Sequence, residues 1–147
     1  MADVRDVAQY ILEQHGVMTT WKLQKLVYYC QAWSLVWDDE PLFPDEIEAW
    51  ANGPVVRKLY DIHAGRFKVS NIEGGNSKRL NRVQRETIDA VLKTYGDRPS
   101  SWLSNLTHSE APWKDARKAA GLSEGERGNA AIPHDAMAEY YDGLRSG

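Results

Sequence analysis

The segment that most constrains the fold is the stretch TWKLQKLVYYCQAWSLVW at positions 20–37. Its apolar residues recur every three or four positions, which predicts one helix over this range, capped by Thr19 or Thr20. From Leu26 onward the apolar side chains are no longer confined to one side. A helix that is apolar over most of its circumference is either central to a core or covered by a partner. The sequence leaves both interpretations open.

The same spacing, together with proline and glycine positions, predicts further short helices. They are expected at 4–14, from Pro54 to Gly65, at 81–95, from Asp97 and Pro99 through Leu106, from Glu110 to about Ala119, and at 133–145. Residues 47–50 fit a short strand, 66–79 fit a small hairpin, and 122–131 fit a loop or loose linker. The predicted fold class is mainly α: a compact single domain of about six or seven short helices with at most one small β-hairpin, spanning 1–147.

Composition narrows the class of protein. The chain has 147 residues, 42% of them hydrophobic, which suits one globular domain with a real core. With 18 basic and 21 acidic side chains the net charge is −3, which argues against a protein that mainly coats nucleic acid. One cysteine, no signal-peptide pattern and no long apolar run predict a cytoplasmic protein without a membrane partner.

Motifs for catalysis or for metal binding are missing from the sequence. The four histidines match no metal-ligand spacing, and neither a phosphate-binding glycine loop nor a nucleophile elbow occurs. Cys30 lies on the apolar side of its predicted helix, where a thiol is usually inert. We therefore expect no catalytic residue, no metal and no cofactor. A hydrolase that uses His108 and Glu110 is kept as an alternative.

A DNA-binding role rests on two features. Arg82 and Arg85 lie one turn apart on one face of a predicted helix, and either a solvated face or phosphate contact fits them. The stretch ILEQHGVMTTWKLQKLVYY has the look of a helix–turn–helix in which Lys22, Gln24 and Lys25 are exposed. A regulator that binds its own promoter therefore remains an alternative, and it predicts strongly salt-dependent binding to that promoter. Weak DNA binding is kept open as a partner interaction.

The aromatic composition points to binding. Six tryptophans and seven tyrosines stand against two phenylalanines, and Trp and Tyr serve both wet-edged cores and protein interfaces. The candidate partner-binding residues are Tyr28, Tyr29, Trp33, Trp37, Arg82 and Arg85.

Three sequence blocks resemble the Panacea domain, the antitoxin domain of SocA-like and phage-associated GepA-like proteins. The first is TWKLQKLVYYCQA at 20–32, similar to the family's K-L-x-K-L-x-Y-Y opening. The second comprises PLF at 41–43 and IEAWANGPV at 47–55, followed by Tyr60. The third is LTHSEAPW at 106–113. The blocks follow the family's order and cover about 20–115.

The resemblance implies a protein that neutralises a cognate toxin by direct binding, with no catalytic residues and no cofactor. An adaptor that presents a client to a protease shares this binding evidence and is kept as an alternative. The resemblance also implies that Leu23 and Leu26 pack their helix, that Gly53 and Pro54 set a tight turn, and that His108 caps a helix or bonds locally. The family positions matched are Lys22, Leu23, Lys25, Leu26, Tyr28, Ala49, Trp50, Gly53, Pro54, Tyr60, His108, Pro112 and Trp113. The oligomeric state is left open.

Overall fold

The computed structural model describes residues 2–146, which form seven α-helices and two small antiparallel sheets of two strands each. The predicted fold class, mainly α and a compact single domain, is confirmed. The elements are α1 Val4–His15, β1 Met18–Thr19, α2 Thr20–Trp37, β2 Ile47–Trp50, β3 Gly53–Val56, α3 Arg57–His63, β4 Lys68–Val69, α4 Arg82–Tyr95, α5 Ser100–Ser109, α6 Ala111–Ala119 and α7 His134–Ser146.

Helix α2 is the centre of the fold. It packs against α1, α4, α5, α7 and strand β3, so most of its circumference is covered. Tyr28, Tyr29 and Cys30 are at most 1% exposed. Of the two interpretations left open by the sequence, the core accounts for residues 23–32 of α2, which are all buried. Trp21 and Lys22 at the start of the helix are partly exposed, and Trp37 at its end is exposed.

Two buried glutamines on α2 hold the end of strand β3 and the backbone at residues 42–43. The Gln24 amide accepts from the Val56 backbone N–H at 2.9 Å and donates to the Val56 carbonyl at 3.3 Å. The Gln31 amide does the same for residues 42–43, accepting from Leu42 and donating to Phe43. Each amide therefore satisfies backbone groups that no helix or strand neighbour reaches.

The expected exposure of Gln24 and Lys25 is wrong, because they are 0% and 1% exposed. The first half of α2 lies under strand β3 and helix α5. It consequently presents no free face of the kind that a recognition helix inserts into a DNA groove.

The predicted helix start at Pro54 is also wrong. Residues 53–56 form β3, which pairs with β2, and the helix begins at Arg57. Pro54 lies opposite Ala49, whose N–H points away from β3 to the Ala130 carbonyl at 2.7 Å. The missing N–H of proline therefore costs no bond in this ladder. The two hydrogen bonds between Gln24 and Val56, called the Gln24 clamp, keep Val56 extended, so the helix begins only at Arg57.

The small hairpin predicted at 66–79 is wrong, because the strand in this segment pairs with a distant strand in the second sheet. Lys68–Val69 pairs with Met18–Thr19 across the molecule. The rest of the segment lies on α1, where Gln9 accepts from the Ile72 N–H and Asp6 accepts from the Asn76 N–H, both at 2.8 Å. Side chains of α1 thus replace the partner strand that a hairpin would need.

Among the described helices, none is both long and apolar enough to cross a membrane.

Candidate partner-binding surfaces

A cleft of about 560 Å³ opens beside the N-terminal end of α2. Its walls come from three parts of the chain: Trp21 of α2, the β2–β3 turn with the start of α3, and the loop after α6. The side chains that define it are Trp21, Trp50, Arg57, Tyr60 and Arg127. Its volume lies within the range usual for ligand-binding clefts.

The third sequence block fixes the turn that forms one wall. The Trp113 indole N–H donates to the Trp50 carbonyl at 2.8 Å. The His108 ring contacts the Ala51 carbonyl through Nε2 at 3.2 Å and the Ser104 carbonyl through Nδ1 at 2.6 Å. His108 therefore combines a local contact with a bridge to the turn, and Pro112 is buried in the first turn of α6.

The loop at 122–131 is held from both ends. The guanidinium of Arg117, which is 3% exposed, donates to the carbonyls of Ala49, Ser123 and Glu126 at 3.0, 2.9 and 2.5 Å. Beyond the cleft, Ile132 donates to the Ile47 carbonyl at 2.8 Å. The loop is consequently a fixed wall and not a loose linker.

Lys25 lies between Trp21 and Gly53 of the β2–β3 turn, and it has no counter-charge among the described residues. It is 1% exposed, and no described residue makes an ion pair or side-chain hydrogen bond with it. Its ammonium is 5.0 Å from the ring centroid of Trp21. Burial lowers the pKa of Lys25 from 10.5 to about 8. A Cβ on Gly53 would lie 2.8 Å from Lys25 Cε, so this glycine makes room for the lysine.

A second buried ionisable group is Glu110, which the sequence analysis considered as a functional residue only for the hydrolase alternative. Glu110, 5% exposed, accepts hydrogen bonds from the hydroxyls of Tyr29 at 2.6 Å and Tyr141 at 2.8 Å. Burial raises the pKa of its carboxyl, and these two donors oppose the rise. Tyr28 joins the cluster through Tyr141 at 3.0 Å. The signal available in the sequence was Glu110 itself, inside the third block.

Two of the candidate partner-binding residues are therefore misassigned. Tyr28 and Tyr29 are core residues, since their rings lie edge-on or stacked against neighbouring tyrosines and their hydroxyls are hydrogen-bonded inside the protein. The sequence made these tyrosines and the tryptophans Trp33 and Trp37 equal candidates for binding a partner. Only the packing of the folded protein shows which pair is buried.

Trp33 and Trp37 form the outer end of this aromatic cluster. Their rings stack with centroids 5.0 Å apart, and Trp37 is 42% exposed. The Trp33 indole N–H donates to the Tyr95 hydroxyl at 3.1 Å, and its ring lies 5.6 Å from Tyr141. Trp37 thus presents a large apolar ring on a rigid support.

The two arginines of the predicted basic face each contact a neighbouring group of the protein, although Arg82 stays 87% exposed. Arg82 pairs with Glu86 one turn along α4 at 2.8 Å. Arg85 donates to the Leu80 carbonyl at 2.6 Å. Neither these contacts nor the buried first half of α2 favours DNA binding.

Within the part of the chain that is described, no group of three or more His, Cys, Asp or Glu side chains is arranged to hold a metal ion. The Cys30 thiol is fully buried, and burial raises its pKa, so its nucleophilic thiolate form is disfavoured.

The fold and these surfaces define a mainly helical protein with an aromatic-lined cleft at one end of its central helix and an exposed tryptophan at the other. This chain belongs to the SocA-like antitoxin family with a Panacea domain, since that family's model matches residues 23–114. Membership supports a general antitoxin role and a protein as the partner. A search of curated proteins and a search of solved structures each found no match.

Proposed function

We propose that this protein is a cytoplasmic antitoxin that neutralises a cognate toxin by binding it directly and without catalysis. The observation that carries the proposal is the stacked pair of Trp33 and Trp37, with its exposed outer ring. Tryptophans that are held in place before binding are typical centres of protein interfaces, because little conformational entropy is lost on association.

The surroundings of Trp37 suit such a contact. Asp38 directly follows the last residue of α2, and its carboxylate accepts from the Thr87 hydroxyl of α4 at 2.5 Å, so the end of α2 is tied to its neighbour. The following Asp39 and Glu40 are exposed. An apolar centre with a charged rim is the usual anatomy of a specific interface, and a tight complex buries about 1,600 Å² in total.

The test is co-expression with the product of the adjacent gene. We expect that product to arrest growth alone, to be harmless together with the wild-type protein, and to copurify with it. Trp37→Ala should weaken the complex at least about 10-fold, because interface anchors contribute about 2 kcal/mol or more.

Trp102→Ala is the matched control. Trp102 is 38% exposed, similar to Trp37, but lies on α5 against Arg98. A neighbour that is harmless alone, or that stays toxic and never copurifies, would contradict the proposal. The toxin's cellular half-life separates the alternatives, because an unchanged half-life indicates neutralisation by binding and a shortened one indicates delivery to a protease.

A further inference from the structure

We infer that the cleft beside Trp21 and Trp50 is a second contact site that takes an acidic peptide segment of the partner protein. The inference rests on the proposed function, since the segment belongs to the neutralised partner. Carboxylates of the segment pair with Arg57 and Arg127, and its apolar groups lie against the aromatic walls.

The charges around the cleft are unbalanced. Arg57 and Arg127 line it, and the ammonium of Lys25 lies behind the Trp21 ring. Glu48 compensates part of the charge of Arg57, since it accepts from Arg57 Nε at 3.3 Å and from the Trp50 indole N–H at 2.7 Å. The pair uses only Nε, which leaves the terminal nitrogens of Arg57 for a second carboxylate. Glu126 uses its carboxylate to accept from the Ser123 backbone. No described residue pairs with Arg127 or Lys25.

This local excess of positive charge is opposite in sign to the whole chain, whose net charge is −3. A buried ammonium without a counter-charge is energetically unfavourable, and an incoming carboxylate in a partly desolvated cleft would offset that cost. Charge complementarity therefore favours an anionic occupant.

The walls favour a peptide among anionic occupants. Trp50 and Tyr60 meet edge to face with centroids 4.8 Å apart, and Arg57 lies 5.2 Å from the Trp50 centroid. Asn52 and Asn129 also line the cleft, and their amides can donate to and accept from a peptide backbone. A nucleic-acid duplex would need a longer basic face than two arginines supply.

The cleft exists before any ligand arrives. The turn at 50–53 is held by Trp113 and His108, and the loop carrying Arg127 is held by Arg117. Binding therefore does not have to order either wall, which keeps the entropic cost low.

The first test uses the purified full chain and a fluorescein-labelled eight-residue peptide of alternating Glu and Phe. Its Lys and Phe counterpart and a labelled oligo-dT of eight nucleotides serve as comparison probes, and anisotropy is the readout. We expect the acidic peptide to bind at least about 10-fold tighter than either, with affinity falling as salt rises.

The double variant Arg57→Gln with Arg127→Gln should bind the acidic peptide at least about 10-fold more weakly than the wild-type protein. Arg98→Gln with Arg145→Gln is the matched control, since it removes two exposed guanidiniums outside the cleft, and it should leave affinity within about 2-fold. Lys25→Met should weaken binding without loss of folding. Equal binding of all three probes, tighter binding of oligo-dT, or no effect of the cleft variants would overturn the inference.

The second test repeats toxin neutralisation with the cleft variants. If the wild-type protein neutralises and the Arg57/Arg127 variant does so with unchanged affinity, the inference is wrong while the proposed function stands. If the wild-type protein itself fails, the proposed function is wrong and the assignment of the segment to a toxin falls with it. If the wild-type protein neutralises the toxin and the Arg57/Arg127 variant binds it more weakly at an unchanged melting temperature, the result supports both the proposed function and the inference.

Discussion

Replacement of Lys25 by methionine should make the free protein more stable. Met keeps nearly the same chain length and fills the space beside Gly53, but it removes a buried ammonium that no described residue pairs with. Hydrophobic replacement of a poorly compensated buried charge is often stabilising by 1–4 kcal/mol, so the direction is opposite to that of most core substitutions.

The magnitude follows from the pKa of Lys25, which is lowered by burial from 10.5 to about 8. At 1.36 kcal/mol per pH unit, that difference corresponds to roughly 3 kcal/mol of cost for keeping the charged form folded. The cation–π contact with Trp21 offsets part of any such cost. We expect Lys25→Met to raise the free energy of unfolding by about 1–3 kcal/mol and the melting temperature by about 3–9 °C.

The pH dependence gives a stricter check. Below pH 8 the lysine is charged in both the folded and unfolded states, and the full cost is present. Between pH 8 and 10.5 the folded protein loses this proton while the unfolded chain keeps it, so the free energy of unfolding rises with pH. The gap between Lys25→Met and the wild type should therefore narrow across this window.

Urea denaturation at pH 7, 8, 9 and 10 measures the effect. Burial raises the pKa of Cys30 and of several tyrosines, which gives an opposite slope at alkaline pH, but this is common to both proteins and cancels in their difference. Lys93→Met, at an exposed position on α4, is the control and should change stability by less than about 0.5 kcal/mol. A less stable Lys25→Met protein, or a gap independent of pH, would refute the reasoning.

Three further predictions concern the core and the cleft walls. Because burial raises the pKa of Glu110 above 4.5, the free energy of unfolding should fall as pH rises through its folded-state pKa, and Glu110→Gln should flatten this dependence in acid denaturation. Gly53→Ala should cost about 2 kcal/mol in thermal unfolding, because φ is +124° and Lys25 obstructs the new methyl group. Gly121→Ala, with φ +74° and open space, should cost only about 1 kcal/mol; equal costs would argue against the lysine contact. Arg117→Lys should cost about 2–3 kcal/mol through lost carbonyl bonds and should speed tryptic cleavage after Arg127, whereas an unchanged cleavage rate would show that the loop is held by other contacts.

The sequence determined the elements whose signals are local. Helix α2 begins and ends at the predicted residues 20 and 37, and strand β2 occupies the predicted 47–50. Helices α1, α4 and α7 agree within two residues. These helices each carry their own apolar period, and α1 and α4 also have side-chain caps at Asp3 and Asn81. Such local signals need no knowledge of distant residues. The three motif blocks likewise identified the family.

Only the tertiary structure decided which of the polar and aromatic residues are buried. Gln24 and Lys25 look like surface residues until β3 is placed over them, and Pro54 looks like a helix start until Ala49 and the Gln24 clamp hold its strand extended. Tyr29 donates to the Glu110 carboxylate, 81 positions away in the sequence, which makes it a core residue, whereas Trp37 on the same helix is exposed. The cleft likewise joins residues 21, 50 and 127, which meet because Arg117 and β2 hold the loop. Such contacts depend on side chains that satisfy distant backbone groups, and no periodic pattern along the chain encodes them.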